Sequence, residues 1–305
     1  MLPFKIVYHD GYDLQLGAHV FPSQKFRLVR DALVGQGLAD PADILTPQPA
    51  TDEDVLRVHT REWVEKLQQN RLTATERMRL EIPCSAETVA AFWLAAGGSI
   101  LAARCALQDK FAANLGGGFH HAFPGHGEGF CMLHDVAIAI RRLQSDGTIR
   151  NAMVVDTDVH QGNGTAAIFA SDRSVFTLSI HQLNNYPVPK PASDLDIHLD
   201  DCTEDEEYLN LLGQGLKESL DRFQPDLIFY IAGADPYRED QLGGLWLSLG
   251  GLRRRDELVF GEALRRGIPV AITLAGGYAR RVEDTVRIHV NTILAARDTS
   301  DAVLR

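Results

Sequence analysis

Short apolar runs recur along the chain, and longer stretches with a helical spacing of apolar residues lie between them. Several runs are apolar at nearly every position, which is typical of strands covered on both faces. Strands that alternate with helices favour an α/β fold in which helices cover both sides of a mostly parallel sheet. The predicted strands are Lys5–Tyr8, Ala113–Leu115, Ala152–Asp156, Val175–Ile180, Leu227–Ile231 and Val270–Leu274.

The predicted helices are longer and separate consecutive strands. Neither an internal repeat nor a low-complexity linker divides the 305 residues, so residues 1–305 are expected to form a single domain. Examples of predicted helices are Ser85–Leu107, His134–Leu143, Tyr208–Phe223 and Arg254–Arg265.

Charge and composition narrow the classes of partner. The chain carries 30 Lys and Arg against 41 Asp and Glu, a net charge of -11. Because nucleic-acid affinity depends largely on Lys and Arg contacts to phosphate, this balance argues against unaided nucleic-acid binding. We expect no membrane partner and a cytoplasmic location, since neither a signal peptide nor an apolar run of about 18 residues is evident. Four widely separated cysteines predict buried thiols rather than disulfides or a thiolate metal site.

Polar, glycine-rich clusters directly follow four of the predicted strands. GGGFHH follows Leu115, DTDVHQGNG follows Val155, AGADP follows Ile231 and AGGY follows Leu274. In open parallel sheets, ligands bind outside the carboxyl ends of the strands. We therefore expect the four clusters to contribute to one shared site.

Three potential metal ligands alternate in the DTDVH segment, at Asp156, Asp158 and His160. In an extended backbone, residues two apart project to the same face, so all three could point to one place. Asp235, in AGADP, supplies a further carboxylate. Carboxylate and imidazole ligands suit zinc, and equally manganese or iron, and three protein ligands leave one position open for water or substrate.

Candidate acid–base groups lie in the same clusters. The adjacent His120 and His121 project in different directions, and a histidine near the metal can accept a proton from water and later pass one to a leaving amine. Asp156 is a candidate for orienting His120, and Asn163 could order one of the two histidines. Tyr278, in AGGY, could donate to the oxyanion that forms when water attacks an amide carbonyl.

Two aromatic residues are candidates for an apolar channel that leads to the metal. Phe130 lies in EGFC and Tyr186 in NNYPVP. Core packing is the alternative role for Phe130, and anchoring of a loop is the alternative for Tyr186.

Taken together, the segments NLGGGFHH, GEGFC, VVDTDVHQGNG, IHQ, AGADPYREDQLGGL and AGGY closely resemble the zinc-dependent histone deacetylase family. HQGNG and DQLGGL are most similar to its class IV branch and to bacterial histone deacetylase-like amidohydrolases. The resemblance runs in order over nearly the whole chain. It implies the three-layer α/β/α fold of the arginase/deacetylase superfamily, with a mostly parallel sheet of about eight strands.

The resemblance also implies roles for individual residues, including a zinc ion and structural potassium ions. The zinc ligands would be Asp158, His160 and Asp235. The active-site histidines would be His120 and His121, with His121 as the principal base and acid. Tyr278 would polarise the carbonyl, and Gly129 and Phe130 would line the channel. One potassium site would comprise the Asp156 side chain, Ser179 and the backbone carbonyls of Asp158, His160 and Ile180, and a second would involve Phe169, Asp172 and Val175.

Two positions depart from the family pattern. Asn163 stands where many members carry an Asp behind the second histidine, so the charge around His121 can differ. Glu81 and Ile82 occupy the stretch that holds the substrate-gripping rim Asp of class I members. Recognition of a peptide backbone is therefore open.

The expected reaction is hydrolysis of an N-acyl amide, with an acyl-lysine protein or peptide as the leading substrate. A small acylated amine such as an acetylpolyamine is the alternative, and acyl-chain length and oligomeric state are open. A binuclear manganese ureohydrolase shares the fold, but Gln161 and Asn163 carry no anionic oxygen for a second metal. From a different class, the chain could bind acylated ligands without catalysis.

Overall fold

The computed structural model describes residues 2–303, and its central feature is an eight-stranded sheet in which every neighbouring pair is parallel. The strand order is β2-β1-β3-β8-β7-β4-β5-β6. The predicted α/β fold is therefore confirmed. The strands are β1 (Lys5–Val7), β2 (Ile44–Leu45), β3 (Phe111–Asn114), β4 (Ala152–Asp156), β5 (Val175–Gln182), β6 (Leu195–Leu199), β7 (Leu227–Ile231) and β8 (Val270–Thr273).

Helices cover both faces of the sheet. In one layer α5 and α6 pack together, and in the other α1, α8, α9 and α10 form a second group. The α-helices are α1 (Lys25–Gly35), α2 (Asp52–Leu56), α3 (Arg61–Gln68), α4 (Ala74–Leu80), α5 (Ala86–Asp109), α6 (Asp135–Ser145), α7 (Asn163–Phe169), α8 (Asp205–Arg222), α9 (Leu249–Arg265) and α10 (Val282–Val303).

The two layers explain why the central strands are apolar at consecutive positions. Along β7, Ile228 and Tyr230 belong to one buried core, whereas Leu227, Phe229 and Ile231 belong to the other. Successive side chains of a strand point to opposite faces, so a strand between two helical layers buries all of them.

The long helix α5 corrects one expectation from the sequence. By length and composition it is apolar enough to cross a membrane, and 67% of its most apolar 18-residue stretch is buried inside the protein. A helix that packs against the sheet on one side and against α6 on another can be apolar around most of its circumference. The expectation that no apolar run reaches about 18 residues is therefore wrong.

The sequence prediction missed two edge strands and misplaced one cysteine. Both β2 and β6 are only partly buried, so their residues lack the continuous apolar pattern of the central strands. Among the four cysteines, Cys202 is exposed, whereas Cys84, Cys105 and Cys131 are buried as expected.

Candidate active site

The four polar clusters meet because their strands are neighbours in the sheet. They follow β3, β8, β7 and β4, which lie side by side in that order. Parallel strands end at a common edge, so residues far apart in sequence converge there. Sequence reasoning could predict the shared edge, but only the strand order shows that the four ends are contiguous.

Asp158, His160 and Asp235 form a buried cluster at this edge, and one potential ligand atom from each lies within 4.8 Å of the others. His160 Nδ1 is 3.0 Å from Asp158 Oδ1 and 3.5 Å from Asp235 Oδ2. Backbone amides hold the opposite oxygens, since Val159 donates to Asp235 Oδ1 and Gly276 donates to Asp158 Oδ2. The arrangement is a possible three-ligand metal site.

The electrostatics of the cluster fit a bound cation. Asp235 Oδ2 is buried and has no hydrogen-bond partner in the described structure. Burial and the Asp158 charge raise the pKa of Asp235 to about 7. Burial alone would lower the pKa of His160, but the two carboxylates raise it to about 10. Two buried carboxylates around one imidazole therefore attract positive charge, which a divalent metal would supply.

Two glycines let the backbone approach the carboxylates. A Cβ atom on Gly233 would lie 2.7 Å from Asp158 Oδ2 and 2.8 Å from Asp235 Oδ1. A Cβ atom on Gly276 would collide with Asp235 Oδ2. The glycines of AGADP and AGGY are therefore steric requirements of the cluster.

Asp156 does not join Asp158 and His160 in the metal cluster. Strand β4 ends at Asp156 and the following backbone bends, so the extended alternation expected from the sequence is wrong beyond this residue. Asp156 Oδ2 instead lies 2.6 Å from His120 Nδ1, and its other oxygen accepts the Asp158 amide at 3.1 Å. The bend therefore separates Asp156, the partner of His120, from the potential metal ligands Asp158 and His160.

The adjacent histidines have different partners and opposite pKa shifts. Burial would lower the pKa of His120, but the charges of Asp156 and Asp158 raise it to about 9. Burial and the charges of His120 and His160 hold the pKa of His121 well below its usual value. His121 Nδ1 lies 2.7 Å from Asn163 Oδ1. At neutral pH, His121 is therefore a neutral imidazole.

Tyr278 follows the left-handed Ala275 and the glycines of AGGY, and its backbone N–H donates to Asp240 Oδ2 at 2.7 Å. Its ring packs edge-on against Phe21 and Phe130. Burial and the charges of Asp158 and Asp235 raise the pKa of the phenol far above its ordinary value. The phenol therefore stays protonated and can donate a hydrogen bond.

A cavity of about 230 Å³ extends from the surface to His121, His160 and Tyr278. The predicted channel residues line it, and Tyr186, 36% exposed, lies at its mouth together with Glu81. Ile82 is buried. The lining residues are Glu81, His121, Gly129, Phe130, His160, Asn185, Tyr186, Leu242 and Tyr278.

The residues of the two predicted potassium sites have other partners. Asp156 and Ser179 are register partners on β4 and β5, and Ser179 Oγ lies 2.9 Å from His181 Nδ1. In the second region, the Arg141 guanidinium is 2.5 Å from Asp172 and 4.9 Å from the Phe169 ring centroid. Val175 begins β5, and Ile180 lies within it. Potassium at either place stays a prediction.

Charged residues near the site that the sequence prediction missed include Asp240, which accepts the Tyr278 backbone N–H, and also Lys25 and Glu128. Lys25, on α1, is fully buried, and its Nζ donates to the Ala275 carbonyl at 2.6 Å, 5.7 Å from the Tyr278 ring centroid. Burial lowers the pKa of Lys25 to about 8. Glu128 contacts Asn163 and Tyr186. A lone lysine in an amphipathic helix gives no signal, whereas Glu128 lies inside the GEGFC motif.

Known proteins are similar to this chain over most of its length. A family model described as histone deacetylase domain matches residues 19–293. An uncharacterised protein of Picosynechococcus is 42% identical, covering 97% of this chain and 99% of its own length. Histone deacetylase 2 of Arabidopsis thaliana is 32% identical, covering 92% and 77%, respectively. The crystal structure of a histone deacetylase homologue from Aquifex aeolicus superposes with a TM-score of 0.82 at 24% identity, covering 97% of this chain and 84% of that one, and shows the same fold.

Proposed function

Because the chain belongs to the histone deacetylase family and is a hydrolase of the deacetylase type, we propose that it cleaves the side-chain amide of acyl-lysine in a zinc-dependent reaction. The observation that carries the proposal is the juxtaposition of a three-ligand cluster, the His121 imidazole and the Tyr278 phenol at a cavity that reaches the surface. Amide hydrolysis needs an activated water, a proton acceptor and a donor to the carbonyl oxygen.

Asp158, His160 and Asp235 would hold the metal, and two carboxylates with one imidazole suit zinc. When bound, zinc supplies a Lewis acid that polarises the acyl carbonyl and lowers the pKa of water. The unpartnered Asp235 Oδ2 supports this assignment, because a buried carboxylate oxygen without a donor is costly.

The remaining steps use this chain's own side chains. His121 is the proton acceptor, since it is neutral and only one of its ring nitrogens faces Asn163. It then passes the proton to the departing lysine amine. The charges of Asp156 and Asp158 raise the pKa of His120, which supports a protonated ring that favours negative charge developing nearby. Tyr278 donates its phenol hydrogen to the carbonyl oxygen as that oxygen becomes negative.

The walls of the cavity support a substrate with an aliphatic stem. Phe130, Tyr186 and Leu242 offer apolar surface along the path to His160. The four-carbon stem of lysine can lie between such walls while its acyl group reaches the catalytic groups. An acetylpolyamine also has an aliphatic chain, so it is the competing substrate class.

Several wider properties belong to the same proposal. Residues 1–305 form one catalytic domain, the protein works in the cytoplasm, and structural potassium lies beside Asp156 and Ser179. The sheet register supports the last point, because Asp156 and Ser179 are direct neighbours on adjacent strands.

A substrate panel tests the reaction and the metal together. Lysine peptides with acetyl or longer acyl groups, and acetylpolyamines, are incubated with zinc-loaded protein, chelator-treated protein and chelator-treated protein given zinc again. We expect hydrolysis of acyl-lysine peptides only when zinc is present. Full activity of a metal-free preparation would contradict the zinc-dependent reaction, and two manganese ions per chain would favour a ureohydrolase. Preference for acetylpolyamines would replace the substrate class.

A further inference from the structure

Glu128 lies behind the cavity wall, and its carboxylate accepts hydrogen bonds from three side chains. Oε1 accepts from Asn163 Nδ2 at 2.5 Å and from the Tyr186 hydroxyl at 2.6 Å, and Oε2 is 3.2 Å from His126 Nε2. Only 14% of its side chain is exposed. Burial would raise the pKa of Glu128, but the donors His126, Tyr186 and Asn163 outweigh burial and lower it. Glu128 is therefore a carboxylate at neutral pH.

A carboxylate can only accept hydrogen bonds, and this fixes the orientation of the Asn163 amide. The NH₂ group of Asn163 must face Glu128, so its oxygen must face His121 Nδ1, 2.7 Å away. The Gly164 backbone N–H, 3.1 Å from the same oxygen, favours this orientation as well. Because Asn163 presents an acceptor, His121 Nδ1 must carry the ring proton, and Nε2 is left as the acceptor.

A second contact connects the same carboxylate to the His121 ring through Tyr186. Tyr186, held by its hydroxyl at Glu128, packs edge-on against His121 with ring centroids 4.9 Å apart. Gly129 permits this close packing, since a Cβ atom there would lie 2.8 Å from His121 Cδ2. The backbone of the turn is itself fixed, because Cys131 donates to the Glu128 carbonyl at 2.9 Å.

We propose that Glu128 is a positioning residue that acts through Asn163 to hold His121 in the tautomer with its proton on Nδ1. The inference rests on the proposed role of His121 as proton acceptor, because only this tautomer leaves Nε2 free to take a proton. An isolated Asn amide can present either its oxygen or its nitrogen to a histidine. Glu128 removes that ambiguity. It also supplies a carboxylate, which Asn163 itself lacks, on the side of Asn163 away from His121.

Substitutions at Glu128 test the proposal through both kinetics and the state of the imidazole. In Glu128→Gln the amide oxygen can still accept from Asn163, so we expect kcat within a few-fold of wild type. In Glu128→Leu we expect kcat to fall about 10- to 100-fold, as for other losses of a residue that orients a histidine, with a smaller change in KM. Tyr186→Phe is the matched control for the tautomer, because it removes the Tyr186 hydroxyl from Glu128 and leaves the contacts to Asn163 and His126 in place.

The tautomer is read directly from ¹⁵N NMR of histidine-labelled, zinc-loaded protein, with the His121 signals assigned by their loss in His121→Gln. We expect Nδ1–H in wild type, Glu128→Gln and Tyr186→Phe, and a mixture of tautomers in Glu128→Leu. Glu128→Lys is the second variant, since a donor at this position should turn the Asn163 amide and move the proton to Nε2. An unchanged tautomer in both Glu128→Leu and Glu128→Lys overturns the proposal.

A double-mutant cycle with Asn163→Ala tests whether Glu128 acts on His121 through Asn163. Adding Glu128→Leu to Asn163→Ala should change kcat by less than about twofold, since the connecting amide is already absent. An undiminished loss in that background means that Glu128 acts by another route and contradicts the proposal. If wild type hydrolyses none of the acyl amides, the proposed function fails, and the NMR comparison still decides the role of Glu128.

Discussion

At the scale of single residues, partners rather than residue types set the chemistry of this site. His120 and His121 are neighbours in sequence and equally buried, yet the pKa of one is raised and that of the other is lowered. His120 faces the carboxylate of Asp156, whereas His121 faces the neutral amide of Asn163. One histidine therefore carries charge at neutral pH while the other can accept a proton.

Tyr278→Phe tests the donor to the carbonyl oxygen. The phenol is lost, but the ring keeps its packing against Phe21 and Phe130, so the fold should be intact. We expect kcat to fall by about 100- to 1,000-fold, as when one oxyanion donor is removed, with a smaller change in KM. Steady-state kinetics on an acyl-lysine peptide, zinc content and thermal unfolding measure these effects.

The same variant separates an enzyme from a protein that only binds acylated ligands. A binding protein would keep its cellular activity after Tyr278→Phe, because the ring still lines the cavity. Retention of full hydrolytic activity by the variant would rule out the proposed role of the phenol.

At the scale of secondary-structure elements, the turns that follow the strands shape the candidate metal site more than the strands do. The segments AGADP and AGGY follow strands β7 and β8, and their glycines leave room for the ligand carboxylates. The Gly276 amide also donates to Asp158 Oδ2 at 3.0 Å. The turn therefore supplies a hydrogen bond and a close approach that a residue with a side chain cannot combine.

Gly276→Ala should damage the metal site more than the fold. Its Cβ atom would collide with Asp235 Oδ2 and displace a ligand, so we expect zinc affinity to fall at least tenfold, by analogy with the loss of groups that orient metal ligands. Competition with a chromogenic chelator measures the affinity.

Gly261→Ala is the matched control for this change. Gly261 lies inside α9, and a Cβ atom there would meet nothing within 4 Å. Because alanine favours a helix interior, we expect this variant to be more stable by about 0.5–1 kcal/mol with unchanged zinc affinity. Equal zinc affinity in Gly276→Ala and Gly261→Ala would contradict the steric argument.

At the scale of the whole molecule, buried neutral groups link stability to pH. His59 Nε2 accepts the backbone N–H of His134 at 3.0 Å, and its Nδ1 lies 3.0 Å from the Phe123 carbonyl. Burial lowers the pKa of His59 from 6.5 to about 4. A proton on Nε2 would break the bond to His134, so the folded protein resists protonation there.

The sign of the resulting pH dependence follows from this lowered pKa. Above pH 6.5 His59 is neutral in both states, whereas between pH 6.5 and about 4 the unfolded chain binds the proton that the folded protein excludes. The contribution of His59 to the free energy of unfolding should therefore fall by about 1.4 kcal/mol per pH unit in that window.

Urea unfolding at pH 7 and pH 5, compared with His59→Gln, measures this contribution. Glutamine does not titrate, so the variant should lose less stability on acidification than wild type does. Metal release at low pH affects both proteins and cancels in the difference. Identical losses in the two proteins would show that His59 does not contribute.

The sequence by itself determined the α/β class and the central strands, because the spacing of apolar residues shows which faces of a helix or strand are buried. It also identified the residue types that chemistry at a strand edge requires. That the chain forms one catalytic domain and that potassium is bound stay predictions.

Only the tertiary structure decided which of these residues share partners. The order β3-β8-β7-β4 makes four distant clusters contiguous, and the bend after Asp156 separates that carboxylate from Asp158 and His160. Lys25 contacts a carbonyl 250 residues away in sequence, and Glu128 contacts an amide 35 residues away. Burial, amide orientation and pKa depend on atoms a few ångströms away in space, and no local pattern in the sequence encodes those distances.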